Sequence, residues 1–290
     1  MSFLNQKFAK RLTQLSDELL VQDTSAGMPP AIRQFGLVNW IGLSTLYKRE
    51  VRRFMKVAVQ TVFAPTVTTL LYILIFTVAL RGASPSIDGV PYAAFLAPGL
   101  VMMGLLNNAF ANSSSSLIVA KVQGNAVDFL MPPISAAELT AAFVAGAATR
   151  GVAVAAASLL VIAPFTTLAA PHPWAIFYFG LMAAVMFGAA GILAGLWAEK
   201  FEHLAAVTGF IITPLTFLSG TFYSIDRLPN WLQTLTHLNP TFHVIDGFRY
   251  GFTGHADGDL LFGAAAAFAV SASLVVASFL ALKAGYKLKS

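Results

Sequence analysis

From residue 57 onward, long apolar runs alternate with short polar ones, at about 57–80, 93–117, 139–162, 174–198, 204–219 and 260–282. About 20 apolar residues in a helix cross the hydrocarbon core of a bilayer, so this pattern predicts six transmembrane helices. Pro65 and Pro214 mark places where the first and fifth should bend. The fifth run stops at Phe217-Leu218-Ser219-Gly220, and a segment of another kind follows. There Leu228, Leu232 and Leu235, with Trp231 beside them, keep helical spacing, while Asn230, Gln233 and Thr234 point elsewhere. This predicts a short amphipathic helix opening at Pro229 and ending near Asn239-Pro240, because a residue before proline avoids the helical region. Broken backbone at membrane depth is tolerated only where protein or a water-filled cavity covers it. The break is therefore a candidate gate, with Phe217, Gly220 and Trp231 as its residues, or else an ordinary interfacial hairpin. The outer segment is expected to run on to Asp259.

The first 56 residues are different. Residues 1–33 form a polar tail with a weak helical stripe. In 34–56, Trp40, Leu43, Tyr47, Val51 and Phe54 fall at steps of three and four, with Lys48, Arg49, Arg52, Arg53 and Lys56 on the other faces and at the end. A basic, aromatic-bearing helix just before a span belongs in the membrane interface. The first run long enough to span follows Lys56, so no cleavable signal sequence is expected.

Composition fits this picture. Of 290 residues 57% are hydrophobic and 11% charged, against about 25% charged in a soluble domain. There is no cysteine, hence no disulfide framework. The net charge of +5 is explained by sidedness rather than by nucleic acid. With both termini inside, fourteen Lys and Arg residues fall in cytoplasmic segments and three (Arg81, Arg227, Arg249) outside, as the positive-inside rule expects. Arg150 is the eighteenth: either it faces the interior of the third span, or the bilayer begins near Gly151 and it is interfacial. Asn107, Asn108, Asn112 and Ser113 to Ser116 in the second span should face other helices or a cavity, and Asn107 and Asn108 with Arg150 are candidate substrate-path residues.

Signals for catalysis are absent from the sequence. It has no G-x-x-x-x-G-K-[ST] loop and no Gly-Lys dipeptide, so no P-loop for ATP, and no G-x-S-x-G elbow. His237, His243, His255, Asp246 and Asp257 fit no standard metal spacing, so no metal is expected.

The wording of the break is more specific than its pattern. Phe217-Leu218-Ser219-Gly220, then Leu228-Pro229-x-Trp231-Leu232-Gln233, then Leu238-Asn239-Pro240 with Asp246 and Arg249, resembles type-2 ABC exporter permeases, the ABC-2 family. Within that family it looks like the nodulation-factor exporter permeases and the YadH-type permeases. The likeness runs from about residue 35 onward; Ser224 stands where many members carry a proline. The resemblance implies an all-α membrane protein with six spans, an N-terminal interfacial helix, a cytoplasmic coupling helix in 118–138 and a re-entrant outer segment before the last span. By domain, that is a tail (1–33), a connecting helix (34–56) and the transmembrane domain (57–290). It implies an inner-membrane homodimer docked on two copies of a separate ABC ATPase, which would hold the ATP and Mg; no cofactor is expected in this chain. Arg49 and Arg52 on the connecting helix, Gly124, Asp128, Phe129 and Leu130 in the coupling loop, and Glu199 in the inner turn would face that ATPase. The substrate would be amphipathic, lipid-like or lipid-linked, and would leave the cytoplasm or inner leaflet. Two rival readings remain at this level: a membrane-embedded enzyme using the outer His and Asp residues, and a secondary carrier, which should show inverted repeats.

Overall fold

The structure, a computed structural model, describes residues 38–79, 86, 87, 89–124, 133–166 and 169–287. The chain divides into Met1–Val38 and Asn39–Ser290, and the second unit holds every helix described. The expected tail over 1–33 and the short helix around Asn125 to Met131, with Asp128, Phe129 and Leu130, lie outside the described residues.

The first helix, α1, is Trp40–Met55; a π turn at Val59–Phe63 leads into α2, Ala64–Ala79. A two-residue antiparallel ladder, β1 (Ser86–Ile87) with β2 (Val90–Pro91), precedes α3, Tyr92–Val122. Then come α4 (Ala136–Ile162), α5 (Pro173–Trp197) and the apolar helix α6 (Phe201–Phe217), which contains a π turn at Thr208–Ile212. A single 3-10 turn at Ile225–Arg227 leads to α7 (Asn230–Leu238), α8 (Pro240–Thr253) and α9 (Leu260–Lys283). Among the described residues five helical stretches are long and apolar enough to cross a membrane: Val59–Val78, α3, α4, α5 and α9; α6 is shorter.

The interior is a helix bundle centred on α3, which is buried along most of its length against α4, α5 and α8. Glycine makes the closest of these approaches possible. A Cβ on Gly191 of α5 would stand 2.4 Å from the Phe110 carbonyl of α3, so no side chain fits there. Conversely, the stretch from the π turn into α2 buries three of its threonines and exposes several large apolar residues. Thr61, Thr66 and Thr69 are buried, each donating to a carbonyl four residues back, whereas Val59, Phe63, Val67, Leu71 and Ile75 are exposed. Polar inside and apolar outside suits a helix whose solvent is lipid.

Both prolines act in the same way. Pro65 lies two residues after the π turn Val59–Phe63, and Pro214 two residues after Thr208–Ile212. Proline cannot donate to the carbonyl one turn back, and an i→i+5 turn takes up the mismatch.

Two expectations are corrected by the packing. On α1 the buried residues are Leu46, Glu50 and Phe54; of the expected stripe Phe54 is buried, Leu43, Tyr47 and Val51 are half-buried and Trp40 is exposed, and a carboxylate sits at the centre of the buried face. The segment expected to run to Asp259 with one short amphipathic helix holds a second helix, α8, which is among the most buried elements described.

Candidate functional site

Two polar clusters are buried at opposite ends of α3. The first joins α1 to the polar half of α3. Glu50, 0% exposed, accepts from Ser116 Oγ at 2.8 Å and pairs with Arg53 at 3.0 Å. The Arg53 guanidinium reaches on to Ser115 Oγ (3.0 Å), the Asn112 carbonyl (2.6 Å) and Asn112 Oδ1 (3.1 Å). The polar run of α3 is thus the receptor for the ion pair of α1. A Cβ on Gly146 of α4 would lie 2.7 Å from Glu50 Cβ, so the glycine admits this side chain to the groove between α3 and α4. A second carboxylate ties the start of α1. Glu138, in the capping box of α4, accepts from the backbone amides of Asn39 and of Ser135 (2.7 Å), and Asn39 Nδ2 donates to the Pro133 carbonyl at 3.0 Å. Tyr47 and Thr149 share a hydroxyl bond of 3.0 Å. The helix is therefore fastened along its length rather than merely laid on the bundle.

The second cluster closes the break after α6. Gly220 takes a left-handed φ of 68°, which favours glycine, and its carbonyl accepts from Arg249 Nη2 of α8. Arg249 is 1% exposed; its guanidinium stacks over the Phe95 ring of α3 at 3.9 Å and lies 3.8 Å from both Asp246 and Asp257. Asp246 accepts from the amides of Asp257 and Gly258 at 3.0 Å each, and Asp257 accepts from the Ile225 amide at 3.2 Å. Asn239 serves both sides of the break: its Oδ1 caps α8 at Thr241, and its Nδ2 donates to Ser219 Oγ (2.8 Å) and the Leu215 carbonyl (3.0 Å). Leu238-Asn239-Pro240 can now be understood: asparagine caps, and proline, with no amide to satisfy, takes the first helical position. A Cβ on Gly99 of α3 would be 2.7 Å from the Thr221 carbonyl, so the break rests directly on α3. Gly99 and Ser116 are about 25 Å apart along one helix.

The candidate residues distribute unevenly over this frame. Asn108 and Arg150 meet: Arg150 Nη2 donates to Asn108 Oδ1 at 2.9 Å. Asn107, half-buried, donates to the Met103 carbonyl of its own helix. Gly220 is inside the second cluster, and Phe217 stacks on Phe222 at its edge, ring centres 5.0 Å apart. Trp231, 66% exposed, Leu235 and Leu238 all face outward on α7, while Thr236 is turned inward; of the expected apolar face, Leu228 and Leu232 are half-buried and Trp231 and Leu235 exposed. Arg49 and Arg52 are exposed on α1, and Gly124, with φ 72°, ends α3. Glu199 is exposed and pairs with Lys287 at 2.7 Å; the hydrogen bond from that ammonium holds the carboxyl below its usual value. Among the described residues no group of three or more His, Cys, Asp or Glu side chains could hold a metal ion. The outer histidines are tied elsewhere: His243 Nε2 bonds the His237 carbonyl at 2.9 Å, and His255 Nε2 lies 3.4 Å from Asp257.

Comparison with known proteins bears on both clusters. A family model described as ABC-2 type transporter matches residues 42–253, which include Glu50, Arg53, Ser116, Glu138, Gly220, Asp246 and Arg249. The chain is 38% identical over 243 residues to the inner membrane transport permease YadH of Escherichia coli K12, covering 81% of this chain and 93% of that one. It is 25% identical over 230 residues to nodulation protein J of Neorhizobium galegae, covering 78% and 85% respectively. Nodulation protein J of Rhizobium meliloti is 24% identical over 216 residues, covering 73% and 80%.

Proposed function

This chain belongs to the ABC-2 type transporter family, and we propose that it is the permease of an ATP-driven exporter in a bacterial inner membrane, working as a homodimer on two copies of a separate ABC ATPase. The family match over 42–253 carries this reading. Six spans, α6 included, would place both termini in the cytoplasm, in keeping with the distribution of Lys and Arg. The end of α3 near Ser116 and Gly124 would then face the ATPase, and the break after α6 would face outward as a re-entrant segment. Arg150, level with the Tyr47 contact to Thr149, would stand near the inner boundary of the bilayer. The spans, mostly apolar, suit an amphipathic, lipid-like or lipid-linked substrate.

The physical requirement is a part that has two positions and that both ends can bias. An ATPase can shift the permease only by its difference in affinity for the two permease states. The Glu50–Arg53 pair gives α1 a firm hold on α3, and α3 carries the break at its other end. Movement imposed on α1, on Gly124 and the coupling loop after it, or on Glu199 would pass along α3 to Gly99 and Phe95. It would there open or close the Arg249 cluster beside the exit.

Co-expression with an ABC ATPase, purification and ATP hydrolysis in lipid nanodiscs test the proposal. A stable complex whose hydrolysis responds to added lipid or glycolipid is the expected result. A permease that purifies alone, with hydrolysis indifferent to its presence, would overturn it.

A further inference from the structure

An apolar groove of about 660 Å³ runs between α4, α5 and α9, away from both polar clusters. Its walls include Ala137, Val144 and Ala148 of α4, Leu181 of α5, and Val276 and Phe279 of α9. Thr140 also lines it, and its hydroxyl is already bound to the Ala136 carbonyl at 2.8 Å, so the lining offers no free polar group. Volumes of roughly 300–1,000 Å³ are those of ligand sites.

Three observations say what fits. All lining residues belong to helices long and apolar enough to cross a membrane, so the groove opens where lipid tails are its solvent. From Ala137 to Ala148 it extends about 16 Å along α4, which matches the depth of one leaflet, half of a hydrocarbon core of about 30 Å. A cation stands beside one wall. The Lys283 ammonium lies 5.8 Å from the ring centre of Phe279, a wall residue, and it makes no salt bridge among the described residues. The carboxylate nearest in sequence to the wall, Glu138, is engaged by the Asn39 and Ser135 amides. An apolar slot one leaflet deep with a positive charge beside one wall has the polarity of a single lipid.

We propose that this groove is a binding site for one anionic phospholipid, its acyl chain between α4, α5 and α9 and its phosphate against Lys283. The site is independent of the transport reading; it asks only that the helices span a bilayer.

Native mass spectrometry of the purified protein, titrated with phosphatidylglycerol and with phosphatidylcholine of the same chains, tests it. Wild type should retain one phosphatidylglycerol in preference to phosphatidylcholine. Lys283→Ala should lower that preference about fivefold, the worth of one basic residue at an anionic surface. Val144→Trp and Val276→Trp, which fill the groove from two walls, should each reduce retention at least about tenfold, with the elution volume unchanged. Equal retention of both lipids by wild type, or retention unaffected by the filling variants, would overturn the proposal. So would filling variants that split a dimer while lipid binding persists, since that result gives the groove to a second copy. If the filling variants do not fold, a phosphatidylglycerol with a photoreactive acyl chain applied to wild type decides: labelling within 137–148, 181–185 or 275–279 supports the site, and labelling elsewhere alone refutes it.

Discussion

Glu50 and Arg249 are the two side chains on which the most structure depends. Each is ionisable, buried, and placed where two elements meet. Breaking a buried charge cluster by removing one partner costs about 3–5 kcal/mol, because the remaining charges stay buried and unpaired. Arg249→Met should therefore abolish most folded protein, read by fluorescence-detected size exclusion, since it strands Asp246 and Asp257. Glu50→Ala should cost less, about 1.5–3 kcal/mol, because Arg53 is 31% exposed and can turn to water. Its loss should appear as faster hydrogen exchange over 40–55, and exchange equal to wild type there would contradict the assigned role. Neither residue stands out in the sequence by charge alone. Glu50 could have been found from its spacing: it is four residues from both Leu46 and Phe54. The Asn and Ser run at 112–116 demanded a polar partner, and Ser115 and Ser116 find theirs on α1. Arg249 was legible as part of a motif, but counted as an outer charge; only the fold brings Gly220, Asp246 and Asp257 around it.

At the scale of elements, periodicity located the long helices to within a few residues, because a buried or lipid-facing helix must be apolar for its whole span. It failed for α8. Phe242, His243, Asp246 and Arg249 mix polar and apolar residues, and their burial depends on pairing that no period records. The contact between α3 and the break can be tested with two glycines. Gly99→Ala should cost about 1–3 kcal/mol by overpacking against the Thr221 carbonyl. Gly209→Ala, where nothing lies within 4 Å, should leave the single chain as stable or up to about 1 kcal/mol more so, since alanine is the better helix former. Thermal unfolding in detergent separates the two; equal effects would deny the contact. The C-terminal turn depends on pH through Glu199 and Lys287. The hydrogen bond from Lys287 lowers the Glu199 carboxyl below 4.5, and the same bond raises the Lys287 ammonium above 10.5. A lowered acid contributes above its unfolded value and loses that as pH falls through the folded value; a raised base contributes below its unfolded value and loses that as pH rises through the folded one. The turn should therefore be docked between about pH 5 and 10, loosen in stronger acid, and weaken with salt because the pair is exposed. Spin labels at positions 202 and 286 would report it; a distance constant down to pH 3 would contradict it.

For the whole molecule, the surface is as informative as the core. Phe210 of α6 is 83% exposed and Leu238 of α7 76%, and Val67, Leu71 and Ile75 of α2 are exposed as well. Such a surface requires lipid or another protein. The family, legible in the words of the break, accounts for that requirement; what drives the molecule and what it carries are matters of complex formation. The central claim is that a separate ATPase works this permease through α1 and α3. The most direct measurement compares ATP hydrolysis by the co-purified ATPase complex in nanodiscs for wild type and Glu50→Gln, which keeps the shape of the side chain and removes its charge. The account predicts that both variants hold the ATPase, and that lipid-stimulated hydrolysis falls in Glu50→Gln to the basal rate. Undiminished stimulation would contradict the path through Glu50, and failure of the wild type to hold any ATPase would contradict the account as a whole.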